Sequence, residues 1–354
     1  MAETKPDIEI RSESADQAER FRAFIAESMG RTGNVPLGAD YWAWKHVANP
    51  FGTSPVLTAH AAPEASGESR MAGLRTFMRW RWRTGAREVP SVRAVDTATH
   101  PDFRGRGIFK RLTLQLVDEM AEEGVPFVYN TPNEMSRPGY VKMGWKVVGR
   151  VPLVLRPVRP FRLAFRVLRQ RLGRGSAPPE APTAQESKRW RTVEDLCRQT
   201  RLVERLTAPD TDDPRYTTAR SAEYLAWRYG AIPDLTYHAV WDDGPGAEHA
   251  VVFRLRSRRG VRELSLSDVL VRPGAERAAR RTVRRLLKDA DVDYAAAVAA
   301  VGTPERRALT RVGFLPARRI APILTARDVA PDPALPSPFE IHNWRLSTGD
   351  IELF

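Results

Sequence analysis

The chain has 354 residues, 56 of them Lys or Arg and 43 Asp or Glu, for a formal net charge of +13. That length suits two domains with a core each, and 42% hydrophobic with 28% charged residues excludes extended disorder, collagen-like sequence and a membrane span. The lone Cys197 excludes an intrachain disulfide, and six scattered His without His-x3-His or HExxH spacing provide no metal site. The polar start MAETKPDIEI lacks the basic and apolar runs of a signal peptide, so a cytoplasmic protein is expected. Positive charge attracts nucleic acid, anionic membrane or anionic small molecules without choosing among them. Only seven of the cations are Lys, and Arg suits phosphate because its planar fork binds two oxygens at once.

In chain order, an aromatic-rich helix is expected over about 38–48, then a strand with period-2 alternation, Leu74–Trp80. A second strand, Ser91–Thr99, runs through a glycine-containing turn into a helix over about 106–123. That helix places Ile108, Leu112, Leu116 and Met120 on one face and ends at Gly124, before a buried strand, Val125–Asn130. Residues 157–190 read as a connector rich in Arg and Pro. Its first half, Phe161–Leu172, has the pattern of a short basic amphipathic helix, either a solvated inter-domain helix or a strip that meets a membrane surface or an anion. A second aromatic helix follows over 219–229.

The two aromatic helices belong to an internal repeat. Tyr41-Trp-Ala-Trp-Lys45 recurs as Tyr224-Leu-Ala-Trp-Arg228, Asp96-x4-Pro101 as Asp268-x4-Pro273, and Met143-Gly-Trp145 as Val312-Gly-Phe314. The spacing between copies shrinks steadily along the chain, as shorter loops in the second copy would produce. The expected fold class is therefore α+β, with two tandem mixed-sheet domains and flanking helices. The expected division is 1–156, a linker 157–190, a second domain 191–330 and a C-terminal tail 331–354.

Chemistry is concentrated in the first copy. In His100-Pro-Asp-Phe-Arg104-Gly105-Arg106-Gly107-Ile108-Phe109, a strand turns into a helix through glycines that allow close backbone approach. Unpaired helix-start amides and the helix dipole make such a turn an anion cradle suited to a diphosphate, or simply a tight turn. Asn133-x6-Tyr140-x3-Gly144-Trp145 follows near the same sheet end. Alone, Tyr140 reads equally as a packing residue.

Together these residues resemble the GCN5-related N-acetyltransferase (GNAT) superfamily. Its signature is Gln/Arg-x-x-Gly-x-Gly/Ala after the fourth strand, then Asn, Tyr seven residues on, and Gly-aromatic four residues later. Arg104-x-x-Gly107, Asn133, Tyr140, Gly144 and Trp145 fit, and Phe109 departs by standing where a small residue is usual. The resemblance implies that Ala98 and Thr99 offer backbone groups to the pantetheine and thioester of acetyl-CoA. It implies that Arg104, Gly105, Arg106, Gly107, Ile108 and Phe109 hold the diphosphate. Asn133, with Ser136 beside it, would contact the pantetheine arm, and Tyr140 would lie by the thiolate as general acid. The aromatic helix and Asn133-x2-Ser136-x3-Tyr140 further resemble the tandem subgroup containing the multi-site aminoglycoside acetyltransferases. Those enzymes end in a phenylalanine whose carboxylate reaches the active site, which suggests the same for Phe354.

Asp96 could accept the amine proton, yet its recurrence as Asp268 also suits a structural role. Trp42, whose counterpart is Leu225, is the expected acceptor contact, whereas His46 and His60 read as ordinary surface residues. At fixed offsets, Arg104–Gly107 fall on Glu276–Ala279, Asn133 on Gly302 and Tyr140 on Leu309, so the second copy is expected to be a non-catalytic scaffold. The expected activity is transfer of an acetyl group from acetyl-CoA to a primary amine of a small molecule. A non-catalytic acyl-CoA sensor and a tRNA-dependent aminoacyl transferase are the alternatives, with nucleic acid the less expected partner.

Overall fold

The computed structural model describes residues 8–29, 38–61, 69–172, 190–244, 246–258 and 260–351. The first half contains β1 (Ile8–Glu13), α1 (Ala18–Met29), α2 (Ala39–His46), β2 (Val56–Ala61), β3 (Arg70–Thr84), β4 (Arg87–Thr99), α3 (Ile108–Glu122), β5 (Phe127–Asn130), α4 (Arg137–Lys142), β6 (Lys146–Arg150) and β7 (Leu153–Pro157). Alternation along β3 sorts its side chains. Leu74, Met78, Trp80 and Trp82 pack toward α1, α2 and the other lobe, while Phe77 packs toward α3. The expected helix face of α3 is buried as anticipated, with Thr113 and Val117 added to it.

The basic connector forms α5 (Pro160–Arg171). The second half contains β8 (Arg191–Thr192), α6 (Val193–Cys197), α7 (Thr200–Thr207), β9 (Thr217–Thr218), α8 (Ala222–Leu225), β10 (His238–Trp241), β11 (His249–Arg258), β12 (Val261–Val271), α9 (Glu276–Asp289), β13 (Tyr294–Val298), α10 (Pro304–Thr310), β14 (Leu315–Pro316), β15 (Ile323–Asp328) and α11 (Thr348–Ile351). A π-helical turn, Ala226–Gly230, continues α8.

Two mixed sheets result. The first runs β1-β2-β3-β4-β5-β15-β6, with β9 added at the far end of β3, and the second runs β8-β10-β11-β12-β13-β7-β14. The orders match strand for strand, and each sheet borrows one strand from the other half of the chain. β15 fills the place between β5 and β6, and β7 the place between β13 and β14. A division at residue 156 therefore cuts through a strand of the second sheet, and residues 323–328 belong to the first. Local periodicity reports that a strand exists and leaves its partner open, because the partner lies more than a hundred residues away.

A pseudo-two-fold relation passes between the aromatic helices. Trp44 Nε1 donates to the Trp227 carbonyl at 2.7 Å, and Trp227 Nε1 returns the bond to the Trp44 carbonyl at 2.8 Å. The two rings stack 5.0 Å apart. Around them Trp80, Trp82, Tyr129, Tyr216, Tyr224 and Trp344 form an aromatic seam joining the two sheets.

Candidate active site

Opposite Arg75 and Thr76 of β3, the strand β4 carries an extra residue: Arg75 faces Thr97 and Thr76 faces Val95, which leaves Asp96 as a bulge at a φ of 29°. Beyond this point β4 parts from β5, with which it pairs only at Val92–Val128 and Arg93–Tyr129. The result is a wedge whose β4 wall, from Asp96 to Thr99, has Thr97 exposed and Asp96 and Thr99 half-buried; Ala98 points the other way, into the α1–α2 cluster.

Past the wedge, His100 caps the turn Pro101–Phe103, accepting from the Asp102 amide at 3.3 Å. Gly105 and Gly107 then adopt φ values of 76° and 75°, left-handed conformations in which an L side chain is strained. A Cβ at either would meet nothing within 4 Å, and no side chain caps α3. The amides at the start of α3 are thus left for an external acceptor. The two arginines of this turn are already engaged. Arg104 donates to the Ser28 carbonyl at 2.8 Å, and Arg106 reaches the Asp102 carbonyl at 3.3 Å while lying over Phe103.

Tyr140 stands on α4, buried to 4% exposure, with its ring against Trp145 and edge-on to Phe109. Its hydroxyl makes no hydrogen bond among the described residues. Phe109 is accommodated because Gly139 leaves room for it: a Cβ there would lie 3.4 Å from its ring. Asn133 is exposed and accepts at Oδ1 from the Ser136 amide at 2.8 Å and the Ser136 hydroxyl at 2.9 Å. Both residues thereby shape the turn into α4.

Three residues enter the site that sequence reasoning missed. Lys45 and His46, at the end of α2, both reach the Asp96 carboxylate, at 2.5 and 2.8 Å, and His46 Nδ1 faces the Ser54 hydroxyl at 2.9 Å. His46 is fully buried, and His60 is 3% exposed beside Thr58 and Glu13, so neither is a surface residue. Burial alone would raise the Asp96 carboxyl, but the Lys45 ammonium and the His46 hydrogen bond outweigh it and hold it well below the usual carboxylate range. Burial pushes His46 down, against the pull of Asp96. Asp96 is therefore a firmly ionised anchor and a weak base. The repeat held the signal: Lys45-His46 corresponds to Arg228-Tyr229, and Tyr229 donates to Asp268 at 2.9 Å as His46 does to Asp96.

The third is Arg75, wholly buried on β3 with its guanidinium over the rings of Phe77, Phe109 and Tyr140. It makes one long contact to the Val95 carbonyl, 3.4 Å, and its Nε and Nη2 have no partner among the described residues. Unpaired buried donors beside Tyr140 fit an anionic or carbonyl-bearing ligand. Trp42 does not reach the site. It is 5% exposed, donates to the Ala15 carbonyl at 2.8 Å and packs between Phe21 and His46, so it joins α1 to α2 instead of meeting an acceptor. Phe354 lies outside the described residues. The last described residue, Ile351, accepts from Arg93 Nη2 at 2.8 Å, and the same nitrogen reaches Thr131 at the end of β5. Among the described residues no cluster of three or more His, Cys, Asp or Glu could hold a metal ion.

The second lobe forms the same bulge, with Ser267 extra between Val252 and Phe253 of the partner strand. Its wedge is filled. Thr348 Oγ1 accepts from the Val298 amide at the end of β13, and Gly349 packs against the Ser267 carbonyl of β12. Residues 267–271 are all buried. Between strand and helix this lobe has four residues, Arg272–Ala275, where the first has eight, His100–Gly107. Four residues of the turn are thus missing here, although Gly274 keeps a left-handed φ of 94°, so the fixed-offset match of Arg104–Gly107 to Glu276–Ala279 does not hold. Helix start falls on helix start, Gly107 on Ala275. Farther on the offset does hold: Trp145 and Phe314 donate in the same way to the carbonyls of Tyr140 and Leu309.

The sequence profile of the acetyltransferase (GNAT) domain matches residues 9–148. No curated protein sequence matches the chain. Among solved structures, a GCN5-related N-acetyltransferase from Anabaena variabilis is 13% identical with a TM-score of 0.60, over 91% of this chain and 73% of that one. A probable N-acyltransferase of unknown function from Enterococcus faecalis is 10% identical with a TM-score of 0.58, over 92% and 73%. N-myristoyltransferase of Saccharomyces cerevisiae, solved with myristoyl-CoA, is 10% identical with a TM-score of 0.54, over 100% and 86%. At such identities the structural likeness is one of fold, and the profile match places the family in the lobe that carries the open wedge. Residues 9–148, which form most of the lobe with the open wedge, thus match an acetyltransferase (GNAT) domain, and the chain as a whole shares its fold with those solved structures.

Proposed function

We propose that the first lobe transfers an acetyl group from acetyl-CoA to a primary amine of a small molecule by direct attack. The observation that carries this reading is the wedge between β4 and β5, followed by two open glycines at the start of α3, where Phe109 meets the Tyr140 ring. The amides of Gly105–Phe109 would take the diphosphate, Asp96–Thr99 would offer main-chain groups to the pantetheine arm, and Asn133 would border it. Bound there, acetyl-CoA supplies the activated thioester.

The unpartnered Tyr140 hydroxyl would donate to the departing sulfur, a contribution of roughly 10²–10⁴-fold in typical acid–base catalysis. Arg75, with two unpartnered nitrogens against the Tyr140 ring, would favour the anionic leaving group. The Phe109 ring beside Tyr140 narrows this end of the wedge and supports a short acyl group. An alkyl amine of pKa ~10 is neutral in about one molecule per thousand at pH 7, so its proton must be removed. Asp96, held as an ion by Lys45, serves this poorly and instead fixes α2 against the bulge. The filled second wedge supports a non-catalytic second lobe.

Release of free thiol from acetyl-CoA, followed against a panel of amines, tests the reading. Turnover with at least one amine, abolished together with coenzyme binding in Gly107→Glu, is expected. Unchanged coenzyme affinity in that variant would reject the cradle.

A further inference from the structure

The helix α5 is mounted the wrong way round for a helix facing water. Two of its arginines turn inward: Arg162 reaches Asp291 at 2.8 Å and also Asp293, and Arg166 reaches Asp293 at 2.6 Å. Asp293 is completely buried, and its carbonyl takes the amides of Val158 and Arg159, so the helix is pinned at its start and along its polar side. The face left to solvent is apolar. Phe161 is 91% exposed, Phe165 60%, Leu168 55% and Leu172 60%. Spacings of four, three and four residues put these side chains in one stripe. Four large apolar groups in line on a helix held by buried ion pairs form a displayed surface and not scattered exposure.

We propose that this stripe docks on an anionic lipid surface. Charge selects that occupant. Residues 156–172 contain six Arg and no Asp or Glu, and Arg169, beside Phe165, has no ion pair among the described residues. Arg156 lies near Arg284, whose helix α9 also exposes Arg277, Arg281, Arg285 and Lys288 before leading into the Asp291–Asp293 anchor. A second copy, itself at +13, would meet this surface with like charge. The neighbouring segment 173–189 contains no apolar side chain larger than Ala or Pro with which to cover the stripe. Phe and Leu entering the headgroup region with Arg at the phosphates is the arrangement of an interfacial helix. No described helix is long and apolar enough to cross a membrane, so the contact is with the surface.

Co-sedimentation of the full chain with phosphatidylcholine vesicles, with and without phosphatidylserine, tests this. Wild type is expected in the pellet with the anionic vesicles only, and less so as salt is raised. The double variant Phe161→Ser with Phe165→Ser should lose about 10-fold or more in partitioning at an unchanged melting temperature, since both side chains touch solvent. Arg169→Glu should weaken binding and flatten its salt dependence. Wild type remaining in the supernatant with anionic vesicles at low salt would overturn the proposal. So would a double variant that binds as wild type does, or a wild-type dimer in light scattering that this variant dissociates without any vesicle binding.

Discussion

Both central strands carry a bulge within one residue of the same place, at Asp96 in β4 and at Ser267, next to its counterpart Asp268, in β12, and beyond it each sheet splits from its parallel neighbour. The first lobe leaves the gap open and follows it with a glycine turn whose amides face outward. The second shortens that turn by four residues and seats Thr348 and Gly349 in the gap. Even the shared anchor has been put to different ends. In the first lobe Lys45 and His46 hold the bulge through Asp96. In the second, Tyr229 and Arg220 hold Asp268, and Arg228, the counterpart of Lys45, grips the carbonyl of Gly349 in the filling segment. A wedge is thus a consequence of the strand geometry. Among the described residues, what sets the first wedge apart is the absence of a filler and an α3 start with no side-chain cap.

The comparison can be broken at several points. The largest effect is expected from Gly107→Glu, which combines backbone strain with a carboxylate at the anion cradle. Acetyl-CoA affinity measured by titration should fall about 1,000-fold, ~4 kcal/mol, whereas Ala275→Glu in the second lobe should leave it unchanged. Asp96→Asn strands the buried Lys45 ammonium and should cost about 3 kcal/mol in denaturant unfolding. Tyr140→Phe should slow turnover about 100-fold with coenzyme affinity unchanged, in a steady-state and binding comparison; Leu309→Ala should lower stability alone.

Gly349→Ala tests the filler. Its Cβ would fall 2.0 Å from the Tyr229 hydroxyl, and the change should destabilise the chain by roughly 1–3 kcal/mol. The smallest effect concerns pH. The His46 pKa is depressed by burial, so unfolding takes up a proton there and stability should decline as pH falls below ~6.5. The Asp96 contribution is present above the ordinary carboxylate value and is lost only below about pH 4. His46→Gln should remove the first of these declines from a profile of melting temperature against pH, while Tyr229→Phe should not.

Much of the first lobe could be read from local pattern. The face of α3, the strands either side of the glycine turn and the Asn133–Tyr140–Trp145 spacing all depend on periodicity or on residue types with special backbone freedom. The exchange of β7 and β15 could not, because a strand records which faces are buried and not which neighbour it will pair with. Trp42 was misjudged for a related reason. Its failure to recur as an aromatic suggested a ligand contact, yet the Ala15 carbonyl and the Phe21 ring supply its partners. Arg75 and His46 carried no local mark, since a polar residue on a strand or a helix end gives no sign that it is buried until the opposing elements are in place.

By itself the sequence determined the duplicated α+β plan, the glycine turn that only left-handed backbone can form, and the Asn133–Tyr140–Trp145 spacing that follows it. Tertiary structure decided which gap stays open, what holds Asp96 ionised, and that the apolar side of α5 faces outward. These depend on contacts between residues far apart in the chain, where packing and desolvation outweigh any local preference.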